Sequence, residues 1–197
     1  MSGTFPTSPA PSSMSLRTIQ PTLVSVAHSL KRQTRSRGGQ RWGFALGYHN
    51  RTRAEMAPLL AFALAQRGQY GTFSFVPSII GQPQTAVTGT PLVKGAQTAG
   101  RSILTDGWAI SSTVLKAGDF IKFAHAKVYM LTADAVSNGS GEVTLAIEPA
   151  LYSAVADNEA LVVSNVPFTV AFGGDSHEVS IQARPVFDWS CELVESP

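Results

Sequence analysis

The sequence predicts a mainly β protein with a single helix, and three patterns carry that prediction. Trp42, Phe44, Leu46 and Tyr48 occupy every second position opposite Gly43, Ala45 and Gly47, the period-2 signature of a strand buried on one face. One segment, around Thr52 to Gln66, repeats its apolar residues at helical spacing: Met56, Leu59, Leu60, Ala63 and Leu64. From Val114 onward, short apolar runs alternate with turn residues at regular intervals, as in a small barrel or sandwich. With 44% apolar and 14% charged residues in a chain of 197, the composition is that of a folded protein with one sizeable core or two small ones.

Along the chain, residues 1–13 hold Pro6, Pro9 and Pro11 among Ser, Thr and Ala, and residues 1–14 read as a flexible or docked arm. From Ser15 the pattern turns β, with Val24, Val26 and His28 alternating against Leu23, Ser25 and Ala27. Two strands are expected to flank Gly38-Gly39, a pair suited to the positive φ angles of a hairpin turn. Thr52-Arg53-Ala54-Glu55 has the form of a capping box, but Pro58 would remove a hydrogen bond six residues in. The expectation is therefore a short turn at 52–56 and a main helix from about Pro58, closed by Arg67-Gly68. "TFSFVP" (72–77) reads as a strand, and residues 78–112 as loop or irregular hairpin anchored by Trp108. Strands are expected within 114–124, 127–136, 141–151 and 159–165, and again within 167–172, 177–183 and 186–193.

Charge is unevenly spread. Residues 1–70 carry nine Lys/Arg against the single acid Glu55, a net +8, whereas residues 71–197 carry six cations and twelve acids, a net −6. Lys31, Arg32, Arg35, Arg37 and Arg41 crowd five of those cations into eleven residues, which serves either a polyanion or an acidic protein surface. Trp42, Phe44 and Tyr48 beside them imitate the stacking-plus-cation surface of single-strand binders, but they share a face with Leu46 and are better accounted for as core.

Sites of chemistry are not expected. His28, His49, His125 and His177 are scattered without a second ligand at helical or hairpin spacing, so no metal site is assigned. Asp175-Ser176-His177 reads as a turn, with no nucleophile elbow near it. Asp119, with Glu142 or Glu148, could form a hydrolase pair, but Gly118-Asp119 reads better as a turn whose acid is solvated. No phosphate loop, dinucleotide fingerprint or zinc spacing occurs, and no catalytic residue or cofactor is assigned. Cys191 is the only cysteine, which excludes an intrachain disulfide. The N-terminus lacks the features of a signal peptide, and the longest uncharged run, 68–93, is broken by Pro77, Pro83 and Pro91. A soluble, intracellular chain without a membrane partner is expected.

The Trp-led strand, the helix "RTRAEMAPLLAFALAQRGQYGTF" and the strand "FSFVP" together resemble the N-terminal domain of distal tail proteins of long-tailed, siphovirus-type bacteriophages. "KAGDFIKFAHAKVYMLTADAVSNGSGEVTLAIEPAL" is similar to a second β-module of phage tail proteins. The resemblance covers about residues 15–77 and 113–151 and rests on pattern and spacing. It implies a β-sandwich-like, ring-forming domain of residues 15–77 plus 166–197, interrupted by an inserted OB-like β-barrel module, 78–165. It implies a structural virion protein forming a hexameric ring at the distal end of the tail tube, resident in the virion tail and in the host cytoplasm during assembly. Its partners would be copies of itself, the tail tube protein and baseplate hub or tip proteins, with Lys31, Arg32, Arg35, Arg37 and Arg41 at the contact and no specific nucleic acid. The other reading is a single-stranded nucleic-acid binder built on the OB-like module.

Overall fold

The computed structural model describes residues 3–181 and 186–197 and is mainly β with one α-helix. Its first elements are β1 Ser13–Ile19, β2 Thr22–Val26, β3 Arg32–Ser36, β4 Arg41–Thr52, α1 Arg53–Ala65, a 3₁₀ turn at Gly68–Tyr70 and β5 Phe73–Phe75. There follow β6 Gly89–Val93, β7 Ser102–Trp108, β8 Thr113–Leu115, β9 Phe120–Lys122, β10 Val128–Leu131, β11 Ala135–Val136 and β12 Val143–Glu148. The chain closes with β13 Phe168–Phe172, β14 Val179–Ile181 and β15 Val186–Glu195. It divides into two compact units, Met1–Ser74 with Val170–Ser196, and Phe75–Thr169. No described helix is long and apolar enough to cross a membrane.

In the first unit the strands run in the order β1-β4-β15-β13-β5, with β14 beside β15. Trp42, Phe44, Leu46 and Tyr48 on β4 are all buried, the stripe facing the core as its period demands. The opposite face of β4 needs its glycines. A Cβ on Gly43 would stand 2.7 Å from Arg17 Nε, because the Arg17 side chain crosses this strand to reach Glu192, 2.8 Å away on β15. At Gly47 the same space is taken by Ser13 Oγ.

The capping box forms: Glu55 N–H donates to Thr52 Oγ1 and the Glu55 carboxylate accepts from Thr52 N–H. These two bonds satisfy N-terminal donors and start the helix at Arg53 rather than at Pro58, which is carried inside it. Met56, Leu59 and Ala63 are buried, while Leu64 rotates out to solvent, so the apolar face is narrower than its spacing suggests. Phe62 meets Phe73 edge-on at 5.1 Å, and Phe5 lies 5.6 Å from Phe62 and 5.8 Å from Phe73. Phe5 N–H donates to the Ser74 carbonyl and Ser74 N–H to the Gly3 carbonyl, which docks the start of the N-terminal segment beside β5.

In the second unit β6-β7-β12-β10-β9 form an antiparallel five-stranded sheet, and β8 pairs with β11 as a separate ribbon. Ile103, Ile121, Tyr129, Leu131, Leu145 and Ile147 fill its core. Of the two readings of 78–112, the irregular hairpin holds for β6 and β7, which pair antiparallel with a register shift between Gly89 and Leu92; positive φ at Gly89 and Gly107 lets these two backbones approach where any Cβ would collide. The expected strand at 159–165 is instead irregular, held by single bridges from Ala160 to Leu92 and from Val162 to Lys122. Of the expected strand 177–183, Val179–Ile181 is β14, and Gln182 and Ala183 lie outside the described residues.

Asp119 is buried, not solvated. Its carboxylate accepts from Lys116 N–H at 2.8 Å and from both Gln84 N–H and Gln84 Nε2 at 3.0 Å, tying the 82–85 segment to the turn before β9. Such a carboxylate is a structural acceptor. Asp119→Ala leaves two backbone donors without their acceptor and is expected to cost about 3 kcal/mol in chemical denaturation. Phe5→Ala is expected to lower stability by about 3 kcal/mol on the same assay, a loss that a loosely held N-terminal segment would not produce.

Candidate interaction surface

Residues 15–39 form an unbroken exposed run, although strands occupy most of it. Within it β2 and β3 pair only with each other, in the register Leu23↔Arg35, Val24↔Thr34 and Val26↔Arg32. This differs from the expected hairpin around Gly38-Gly39. The reversal lies instead between Ala27 and Lys31, where Ala27 N–H donates to the Lys31 carbonyl and Leu30 N–H to the Ala27 carbonyl. Leu30 closes this turn with φ 60°, the left-handed conformation that usually falls to Gly or Asn and costs another residue about 1 kcal/mol. Gly38 and Gly39 do adopt positive φ, 68° and 71°, but at the base of the ribbon, where the chain enters β4.

The ribbon accordingly distributes the five cations in a way the spacing alone did not reveal. Lys31 sits in the turn, Arg32 and Arg35 on opposite faces of β3, Arg37 at the base, and Arg41 at the start of β4 opposite Ile19. Ion pairs among the described residues include Arg17–Glu192, His49–Asp188, Arg51–Glu55, Lys94–Glu142 and Arg101–Glu148. None involves the cluster. An unpaired cluster of one sign attracts acidic surfaces and keeps copies of the ribbon apart from one another. Trp42, Phe44 and Tyr48, being buried, offer no ring face to a nucleic-acid base.

Sequence reasoning missed the apolar members of this surface. Leu23, Val24, Val26 and Leu30 are all exposed, because the ribbon has no layer on either face. Their alternation announced a strand but not its exposure, and His28-Ser29-Leu30 carries no turn signature.

Elsewhere the chemistry-bearing residues hold the fold. Glu142 pairs with Lys94 and accepts from Asn138 Nδ2, which holds its carboxyl below the usual range, and Glu148 pairs with Arg101 at 2.8 Å. Asp175 accepts from Gln69 N–H at 3.0 Å. Ser176 and His177 line an open cleft of about 330 Å³ with Cys191 and Glu192, but burial pushes the Cys191 thiol up to about 12, so it stays protonated. Among the described residues no three His, Cys, Asp or Glu side chains gather as a metal site. The sequence matches no protein-family model and no curated protein.

His125 is set among Phe123, Tyr129 and Tyr152, its Nε2 3.3 Å from the Tyr129 hydroxyl and its buried Nδ1 without a hydrogen-bond partner. Burial is the main cause that lowers its pKa from the ordinary 6.5, with Glu159 opposing and Lys122 assisting. The unfolded chain therefore takes up the proton first, and stability falls as pH drops through 6.5 towards the lower folded value. Denaturation of the wild type at pH 7.5 and 5.5 is expected to show this loss, and His125→Phe to show less of it.

Proposed function

We propose that this chain is a structural, non-catalytic protein of a long-tailed bacteriophage, forming a ring at the distal end of the tail tube and joining the tube to baseplate hub or tip proteins. Residues 15–77 and 166–197 make the β-sandwich-like ring domain, and 78–165 an inserted OB-like module. The ring is a hexamer, carried in the virion tail and assembled in the host cytoplasm. One observation carries the reading: five cations without ion pairs stand on an exposed ribbon and at its base, in a chain whose residues 71–197 hold a net −6. In a closed ring every copy presents both surfaces, so the basic part of one meets the acidic part of the next or of the adjoining tail ring.

Light scattering at micromolar concentration is expected to show a closed oligomer, alone or with tail tube protein. Changing Arg35, Arg37 and Arg41 together to Glu is expected to leave a folded monomer, since the variant meets like charge across the contact. A wild-type chain that stays monomeric in both conditions refutes the ring. Sub-micromolar affinity for single-stranded DNA at physiological salt would favour the nucleic-acid-binding alternative, because contacts limited to phosphates weaken steeply as salt rises.

A further inference from the structure

The cations explain attraction but not why the ribbon is apolar. A two-stranded ribbon is at best marginally stable in water without a further layer, and this one has none on either face. It nevertheless displays Leu23 at 50%, Val24 at 51%, Val26 at 59% and Leu30 at 84% exposure. Leu30 is the least expected of these. It holds the left-handed position that closes the turn, where glycine would be unstrained, and it exposes an isobutyl group at the turn end of the arm. An unfavourable backbone angle and an exposed leucine at one position make sense if the side chain is buried on docking.

We propose that the β2–β3 ribbon is an arm that docks on a second copy of this chain, with Leu30 as its apolar anchor and Leu23, Val24 and Val26 as the contact behind it. The proposal rests on the assembly reading above and names the side chains that hold the copies together. Charge complementarity selects the occupant. The first 54 residues hold no acid at all, so one arm repels another, whereas residues 71–197 of a neighbouring copy carry the opposite sign. Lys31 and Arg32 directly follow the anchor in sequence, so steering by charge and burial of the apolar side chain act at one place. Arg32 lies beside Val26 and Arg35 beside Leu23 across the ribbon, which alternates the two kinds of contact along its length.

Leu30→Gly separates anchor from fold. Glycine suits the φ of 60°, so the variant is expected to unfold at or above the wild-type midpoint, while the concentration at which copies associate rises about tenfold. Val24→Ser with Val26→Ser, on one face of the ribbon, is expected to act in the same direction. Hydrogen exchange supplies a readout on the unmodified chain: amides of residues 22–36 are expected to be protected at assembling concentrations and to exchange rapidly on dilution. If Leu30→Gly associates like the wild type and the arm amides exchange freely within the oligomer, the arm is overturned while assembly through another surface stands. A wild-type chain that never associates overturns the arm and the assembly reading together. Protection that appears only on adding tail tube protein overturns the second copy as occupant.

Discussion

The fold depends on the pairing of β4 with β15. This ladder runs from Val186↔Thr52 to Val194↔Gly43 and joins segments far apart in the chain, with Trp42 N–H donating to the Glu195 carboxylate across 153 positions. Closing so long a loop is entropically unfavourable, though the cost rises only logarithmically with length, and the face that closes buries Trp42, Phe44, Leu46, Tyr48, Trp189 and Leu193. Tyr48 and Trp189 stack at 5.6 Å on this face, adding a directional contact to the burial. The register shifts between Phe187 and Trp189, where the Asp188 carboxylate accepts from Asn50 N–H at 2.7 Å and Asn50 takes a positive φ of 53°. That irregularity bends the ladder just before the chain turns into α1.

Everything peripheral to this ladder follows from what it leaves over. β1 covers the outer side of β4 and lays Arg17 across Gly43 to Glu192, so an exposed ion pair fastens three strands rather than two. The connection from β1 back to β4 has no place in the sheet and pairs with itself as the β2–β3 ribbon. A self-paired ribbon satisfies its own backbone donors but buries no side chain, which is why apolar and cationic groups are displayed together there. In the second unit Asp119 has a comparable organising role, since one carboxylate takes up donors from nearby Lys116 and from Gln84, 35 positions away.

Patterns set by neighbouring residues were legible. The β4 stripe read as core and is core, and the Thr52/Glu55 box caps a helix, its two local hydrogen bonds outweighing the Pro58 that had argued for a later start. Strands that depend on close backbone approach were legible only in outline: β6 and β7 lie in a Gly- and Pro-rich stretch that reads as loop or irregular hairpin without strand bounds, because what orders them is a partner strand and not their own propensity. The same holds at Asp119, whose carboxylate accepts from Gln84, 35 positions away.

The sequence by itself determined that the chain is mainly β with one helix, that its first 54 residues carry no acid, and that five cations cluster between Lys31 and Arg41. These follow from periodicity and composition, which local chemistry expresses directly. Only the tertiary structure decided which strand pairs with which, and so moved the reversal from Gly38-Gly39 to Leu30 and turned Leu23, Val24 and Val26 outward. Alternation in a strand marks two faces, but whether either face is covered depends on the layers that long-range pairing brings to it.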